Sequence, residues 1–257
     1  LGRYAARRAE QLAPGTEVSV VGAAPALPAA VRAQHIEARY RGRPVLRLAK
    51  VRLAPAWGEL LKLDPAWRLL AAAGGGSVRA TFRRPENGPA EGFAFEVDLD
   101  RIQLGELPGL QALAGRRISG LCSGSVSRVP TAAAAETTFR LRLNDAAVPL
   151  RQPIFQQNRV LLQTVEIDAA LVGDRLQIRG CRFGGSAFDG RISGRVTVRQ
   201  PLSDSVIDLE GVIEPSTVWM AELKKRLPAQ ILAKGGPEGK FGFRLSGSVT
   251  NPRYSFR

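Results

Sequence analysis

The sequence predicts a mainly β protein: one long, strongly curved antiparallel sheet, a half-open barrel, with a helix at its N-terminus and another near residues 216–234. Three observations lead there. Apolar and polar residues alternate with period two along most of the chain, the mark of strands with one buried face. Few of those strands are apolar on both faces, which argues against the buried parallel sheet of an α/β enzyme. Gly interrupts many strands, and 27 Gly with 17 Pro among 257 residues supply turns and bends. The chain 1–257 reads as a single β-rich domain, a length ordinary for one all-β core.

Residues 1–13 open the chain as an amphipathic helix, with Leu1, Tyr4, Ala5, Ala9 and Leu12 on one side and Arg3 and Arg7 on another. Strand patterns follow. Ile36, Ala38 and Tyr40 alternate with Glu37, Arg39 and Arg41, and residues 56–63 read as a short turn of helix before Asp64-Pro65. Val78, Ala80 and Phe82 alternate with Arg79, Thr81 and Arg83. Phe93, Phe95, Val97 and Leu99 form a longer odd-numbered row. Phe139, Leu141 and Leu143 are separated by Arg140 and Arg142, and Val165, Ile167, Ala169 and Leu171 continue the theme. Leu176 and Ile178 follow a Gly173-Asp174 turn, then come Ile192, Val196 and Val198, and then Ile207, Leu209 and Val212. From Ser216 to Lys234, Trp219, Leu223, Leu227 and Ile231 recur every four residues, so a helix is expected there. Pro228 kinks it and Gly235-Gly236 ends it. It is expected to lie across one end of the sheet. Phe241, Phe243 and Leu245 close the series, for about ten to twelve strands in all.

One short motif recurs. Arg117-Ile118-Ser119-Gly120, Arg191-Ile192-Ser193-Gly194 and Arg244-Leu245-Ser246-Gly247 share R-[IL]-S-G, each within a predicted strand. It reads either as convergent strand composition or as a repeated unit whose Gly lets the sheet bend or another backbone approach.

The charge is strongly positive, with 37 Lys+Arg against 23 Asp+Glu and a formal net charge of +14. About half of that excess lies before residue 54, where only Glu10, Glu17 and Glu37 oppose the basic residues. Such a balance favours anionic partners: phospholipid headgroups, nucleic acid or acidic protein surfaces. An RNA-reading sheet would interleave aromatics with its bases. Here the phenylalanines alternate with polar residues onto the apolar face, while Arg39, Arg41, Arg43, Arg140 and Arg142 read as a solvated outer face, which speaks against nucleic acid.

Catalytic patterns do not emerge. His35 is the one histidine, and with Cys122 and Cys181 it falls short of a zinc ligand set of the usual kinds. Gly120-Leu121-Cys122-Ser123-Gly124 formally matches a nucleophile elbow, but strand residues follow it where a helix is needed. Asp98 and Asp100, and Asp204 and Asp208, read as strand-end or turn residues. Gly74–Gly76 and Gly184-Gly185 lack the Lys-Ser/Thr ending of a phosphate loop. No cofactor, no metal site and no enzyme is expected. Cys122 and Cys181 are open to either a disulfide or two free thiols.

The order of these features resembles the type II secretion system protein N family, related to the AsmA-like envelope proteins. The likeness is carried by the basic lead-in Leu1–Leu12, by Arg43-Pro44-Val45-Leu46-Arg47-Leu48 and by Leu107-Pro108-Gly109-Leu110. It continues through 168–179 with its Gly-Asp turn, Gly190–Val198, Pro201-Leu202 and 207–211, to the ending Leu245-Ser246-Gly247-Ser248-Val249-Thr250-Asn251-Pro252. The resemblance implies a folded-over sheet, a β-taco, in the periplasm. It also implies a transmembrane helix preceding Leu1 in the inner membrane, with Arg3, Arg7 and Arg8 beside the bilayer, and a compartment that permits a Cys122–Cys181 bridge. Expected partners are other type II secretion components, with phospholipid as a further ligand. The expected function is a non-enzymatic accessory part of that machinery. The alternative is a lipid-binding or lipid-bridging module, whose groove or core would be lined by Phe93, Phe95, Val97, Phe139, Leu141, Ile167, Ile192, Val196, Phe241 and Phe243.

Overall fold

A computed structural model describes residues 16–57, 66–83, 93–114, 117–130, 134–154, 157–200, 204–226 and 239–256. The chain divides into two compact units, Leu1–Ala133 and Ala134–Arg257. Both are mainly β, every strand pair in each is antiparallel, and fifteen strands occur among the described residues.

The first unit holds β1 (Thr16–Val21), β2 (Ala24–Ala26), β3 (Ala30–Tyr40), β4 (Arg43–Pro55), β5 (Ala66–Ala73), β6 (Gly76–Arg83), β7 (Ala94–Gln103) and β8 (Ser119–Val129). Its order is β1-β3-β4-β5-β6-β7-β8, with β2 also paired to β3. Tight turns explain this meander. At Arg41-Gly42 and Gly74-Gly75 both central residues have positive φ, the type I′ geometry whose twist suits a hairpin. A 3-10 turn (Leu104–Glu106) and α1 (Pro108–Ala114) bridge β7 to β8. The core is built from small residues: Ala33, Val51 and Ala71 are buried, with Val20, Ile36, Leu48 and Leu69 packed against them. Each methyl buries little area, at about 0.8 kcal/mol per carbon, so many half-buried neighbours share the stabilisation.

The second unit is a plain meander of β9 (Glu136–Ile154), β10 (Gln157–Val172), β11 (Arg175–Gly184), β12 (Phe188–Thr197), β13 (Val206–Pro215), β14 (Phe241–Ser248) and β15 (Pro252–Phe256). Between β13 and β14 lies α2 (Thr217–Arg226). Ser216 caps α2, its Oγ accepting the Trp219 backbone N–H at 3.3 Å. The Gly173-Asp174 hairpin joins β10 to β11, with positive φ at Gly173 alone of the two residues, the type II′ pattern.

Several expectations are refined here. Fifteen strands exceed the expected ten to twelve, the short β2 and β15 among them. The helix α1 had no predicted counterpart, because its seven residues are too few for periodicity to show. Of the helix expected over 216–234, Thr217–Arg226 is observed and 227–234 lies outside the described residues. The 1–13 helix, with Arg3, Arg7 and Arg8, and most of the 56–63 turn also lie outside them. No helix among the described residues is long and apolar enough to cross a membrane.

The R-[IL]-S-G motif acquires a common geometry. Its three glycines, Gly120, Gly194 and Gly247, have φ of 133°, 139° and 101°, values that side-chain-bearing residues rarely adopt. A Cβ at Gly194 would also strike the Asp208 carbonyl on β13. The motif therefore serves backbone shape as well as strand composition.

Candidate functional site

Residues directly opposite one another in antiparallel strands share a face, so the pairing of the second unit fixes which side chains stand together. Four cross-strand ladders follow. Leu143, Val165, Phe183, Gly190, Ile213 and Phe241 form the first. Leu141, Ile167, Cys181, Ile192, Gly211, Phe243 and Phe256 form the second, and Phe139, Ala169, Ile178, Gly194, Leu209, Leu245 and Tyr254 the third. The fourth runs Thr137, Leu171, Leu176, Val196, Ile207, Gly247 and Pro252. None of these four rungs carries a charge.

The face is packed by rings over glycines. The Phe183 ring occupies the place a Cβ on Gly190 would take, and the Phe243 ring comes within 2.7 Å of the corresponding point at Gly211. Each aromatic thus covers backbone across the strand, a packing that a larger residue on the neighbour would forbid. At one end Phe183 meets Phe188 edge-on, centroids 6.0 Å apart, and Phe188 meets Trp219 of α2 at 5.1 Å. The helix therefore touches the start of β12 through Trp219. Val165, Ala169, Ile207 and Phe241 are buried, Leu141, Leu143, Ile167, Phe183, Ile192, Ile213 and Phe243 among the others are half-buried, Tyr254 is exposed, and no large side chain among the described residues is completely enclosed.

The opposite face is polar and carries four matched charge pairs. Arg142 pairs with Glu166, Arg179 with Glu136, Lys240 with Glu214 at 3.5 Å, and Arg244 grips both oxygens of Asp208 at 2.9 and 3.0 Å. Arg140 stands opposite Asp168. These pairs are exposed, so each contributes little stability. Arg175 and Arg253 face uncharged residues, and Arg182 and Arg191 are directly opposed like charges lining a hollow of about 400 Å³ with Glu166 and Asp189.

Of the sequence-predicted residues, the structure brings Phe139, Leu141, Ile167, Ile192, Val196, Phe241 and Phe243 onto this one face. Phe95 and Val97 lie on β7 of the first unit. Phe95 stands between Phe82 and Arg128, and Val97 between Ala80 and Val126. Phe93 leaves the expected row: it precedes β7, where no neighbouring strand pairs with it, and is 57% exposed. Phe183 was missed because alternation counted from Leu176 and Ile178 puts residue 183 on the wrong side. A β-bulge between Ile178 and Cys181 inserts one extra residue and returns Cys181 and Phe183 to the apolar face. Gly180 was the available signal.

Cys122 and Cys181 are free thiols, one in each unit, and burial pushes both thiols up from their ordinary range. Cys122 sits in mid-β8 opposite Ile102, in continuous strand with no helix after it. His35 is exposed on β3 between Val21 and Ala49. Gly74-Gly75 forms a hairpin turn, Gly74 accepting the Gln103 N–H at 2.8 Å, and Gly185 donates to Phe188 in the β11–β12 turn. Among the described residues, no three His, Cys, Asp or Glu side chains are grouped as a metal site requires. Comparison with protein-family models, curated proteins and solved structures gives no match.

Proposed function

We propose that this protein is a non-enzymatic accessory component of a type II secretion machine, its strands in the periplasm and its N-terminal end anchored to the inner membrane. The observation that carries the reading is the run of Gly-broken antiparallel strands with a shared R-[IL]-S-G geometry. That run ends in the L-S-G-S-V-T-N-P segment, which forms the β14 end, a turn and the start of β15. These are among the segments that carry the sequence's resemblance to the type II secretion system protein N family. The charge pairs of the polar face and the four uncharged rungs opposite suit a scaffold that meets other secretion components along strand edges. Deleting the gene in a type II secretion-competent host and measuring exoprotein release tests this: accumulation of exoproteins in the periplasm is expected, and unaltered release refutes a required role.

A second reading is favoured by the four uncharged ladders. A sheet bent around that face would form a trough for acyl chains, each methylene removed from water contributing about 0.8 kcal/mol. Native mass spectrometry of gently purified protein decides. Lipid adducts released by organic extraction support the reading, and a lipid-free spectrum from a membrane-derived preparation counts against it.

A further inference from the structure

We propose that one end of the first unit is a docking surface for an anionic lipid bilayer, with the β2–β3 turn as its inserted tip. The antiparallel register gathers the start of β3, β5 and β7 and the finish of β4, β6 and β8 at the same end. Large apolar side chains are exposed there: Leu27 at 90%, Trp57 at 52%, Trp67 at 47%, Phe93 at 57% and Val129 at 59%. Leu27 stands in the two-strand turn between β2 and β3, flanked by Pro25 and Pro28, which limit the backbone freedom that insertion would otherwise cost.

Arginines are interleaved with these side chains. Arg32 is directly opposite Arg52, Arg68 opposite Ala54, Arg83 opposite Ala66 and Ala94, and Arg128 opposite Phe95. Among the described residues none of the five has an ion-pair partner, and the acidic neighbour on these strands, Glu96, faces Thr81 and Ser127. Directly opposed arginines destabilise a sheet in water, whereas a negative surface potential attracts both. Trp suits the headgroup layer because an apolar body and a polar N–H sit on one ring. The apolar groups crown the ends of successive strands and do not line a pocket, and the most exposed of them is aliphatic and at a tip. That arrangement fits a fluid, charged surface better than a shaped protein partner. The inference stands on the first unit alone and does not rest on the secretion reading.

The 257-residue chain would be mixed with vesicles of phosphatidylglycerol and phosphatidylcholine, or of phosphatidylcholine alone, and the bound fraction read by co-sedimentation. Binding to the anionic vesicles is expected, weakening several-fold or more between 0.05 and about 0.5 M salt as the charges are screened. Leu27→Asp should lower the partition coefficient about tenfold or more. The residue is so exposed that the fold should survive, and circular dichroism checks this. In a Trp219→Phe background, leaving Trp57 and Trp67 as the two indoles, bound protein should be quenched by brominated lipid. No binding to anionic vesicles, binding unaffected by Leu27→Asp, or unquenched indoles would each overturn the proposal. So would a Leu27→Asp variant that loses only self-association in sedimentation equilibrium, which would make this end an interface between copies of the chain.

Discussion

At Gly194 the backbone turns through a φ of 139° directly beside the Asp208 carbonyl, whereas at Gly180 φ is not positive and nothing lies within 4 Å of where a Cβ would be. The two positions should respond differently to one methyl. Gly194→Ala should cost about 2–4 kcal/mol in urea unfolding, from a disfavoured dihedral plus a backbone clash. Gly180→Ala should stay within about 0.5 kcal/mol. Equal losses would mean that the motif glycine has no geometric role. Cys122 and Cys181 make a second residue-scale case. Burial disfavours each thiolate, so the folded thiols hold their protons to higher pH than the unfolded ones. The stability this contributes is intact below the unfolded thiol range. It is lost as pH rises through the unfolded and then the folded pKa, because the unfolded chain releases its protons first. Native alkylation by iodoacetamide near neutral pH should accordingly be slower than that of a free cysteine at both positions, and addition of urea should abolish the difference.

The bulge in β11 decides which side chains share the apolar face. Leu176 and Ile178 are even-numbered, Cys181 and Phe183 odd-numbered, and the extra residue at Arg179 lets both pairs face the same way. Deleting Arg179 should force Cys181 and Phe183 to the polar side or shift the register with β10 and β12. The expected result is loss of the cooperative transition of the second unit in chemical denaturation; an unchanged midpoint and slope would contradict the pairing. This element also shows where sequence reading stops. Regular alternation exposed Phe139 and Leu141, Val165 and Ile167, and Ile207 and Leu209 as strand faces, because period two is a local property. Phe183 was hidden because its facing depends on one inserted residue, whose presence is set by pairing with two other strands. Phe93 was misjudged for a related reason: alternation says which side of a strand a residue would take, not where the strand begins. The α2 start was legible from the four-residue spacing that begins at Trp219 and Leu223, while α1 was too short to leave a pattern.

Across the molecule, a basic chain resolves into two kinds of surface. In the second unit, carboxylates on neighbouring strands pair with Arg142, Arg179 and Arg244, so part of the positive charge is neutralised locally. In the first unit, Arg32, Arg52, Arg68, Arg83 and Arg128 stand near exposed Leu and Trp at one end. Both functional readings depend on a sheet face from which charge is excluded on four successive rungs, and adjacent residues of β12 test that directly. Ile192 lies on the apolar face between Cys181 and Gly211, and Arg191 lies on the polar face opposite Arg182. Urea unfolding of Ile192→Asp should show a loss of about 2–4 kcal/mol, because a carboxylate would sit half-buried without a partner. Arg191→Asp should be neutral or slightly stabilising, since it replaces a like-charge pair with an opposite one. Equal losses from the two variants, or a greater loss from Arg191→Asp, would contradict the assignment of faces on which the account stands.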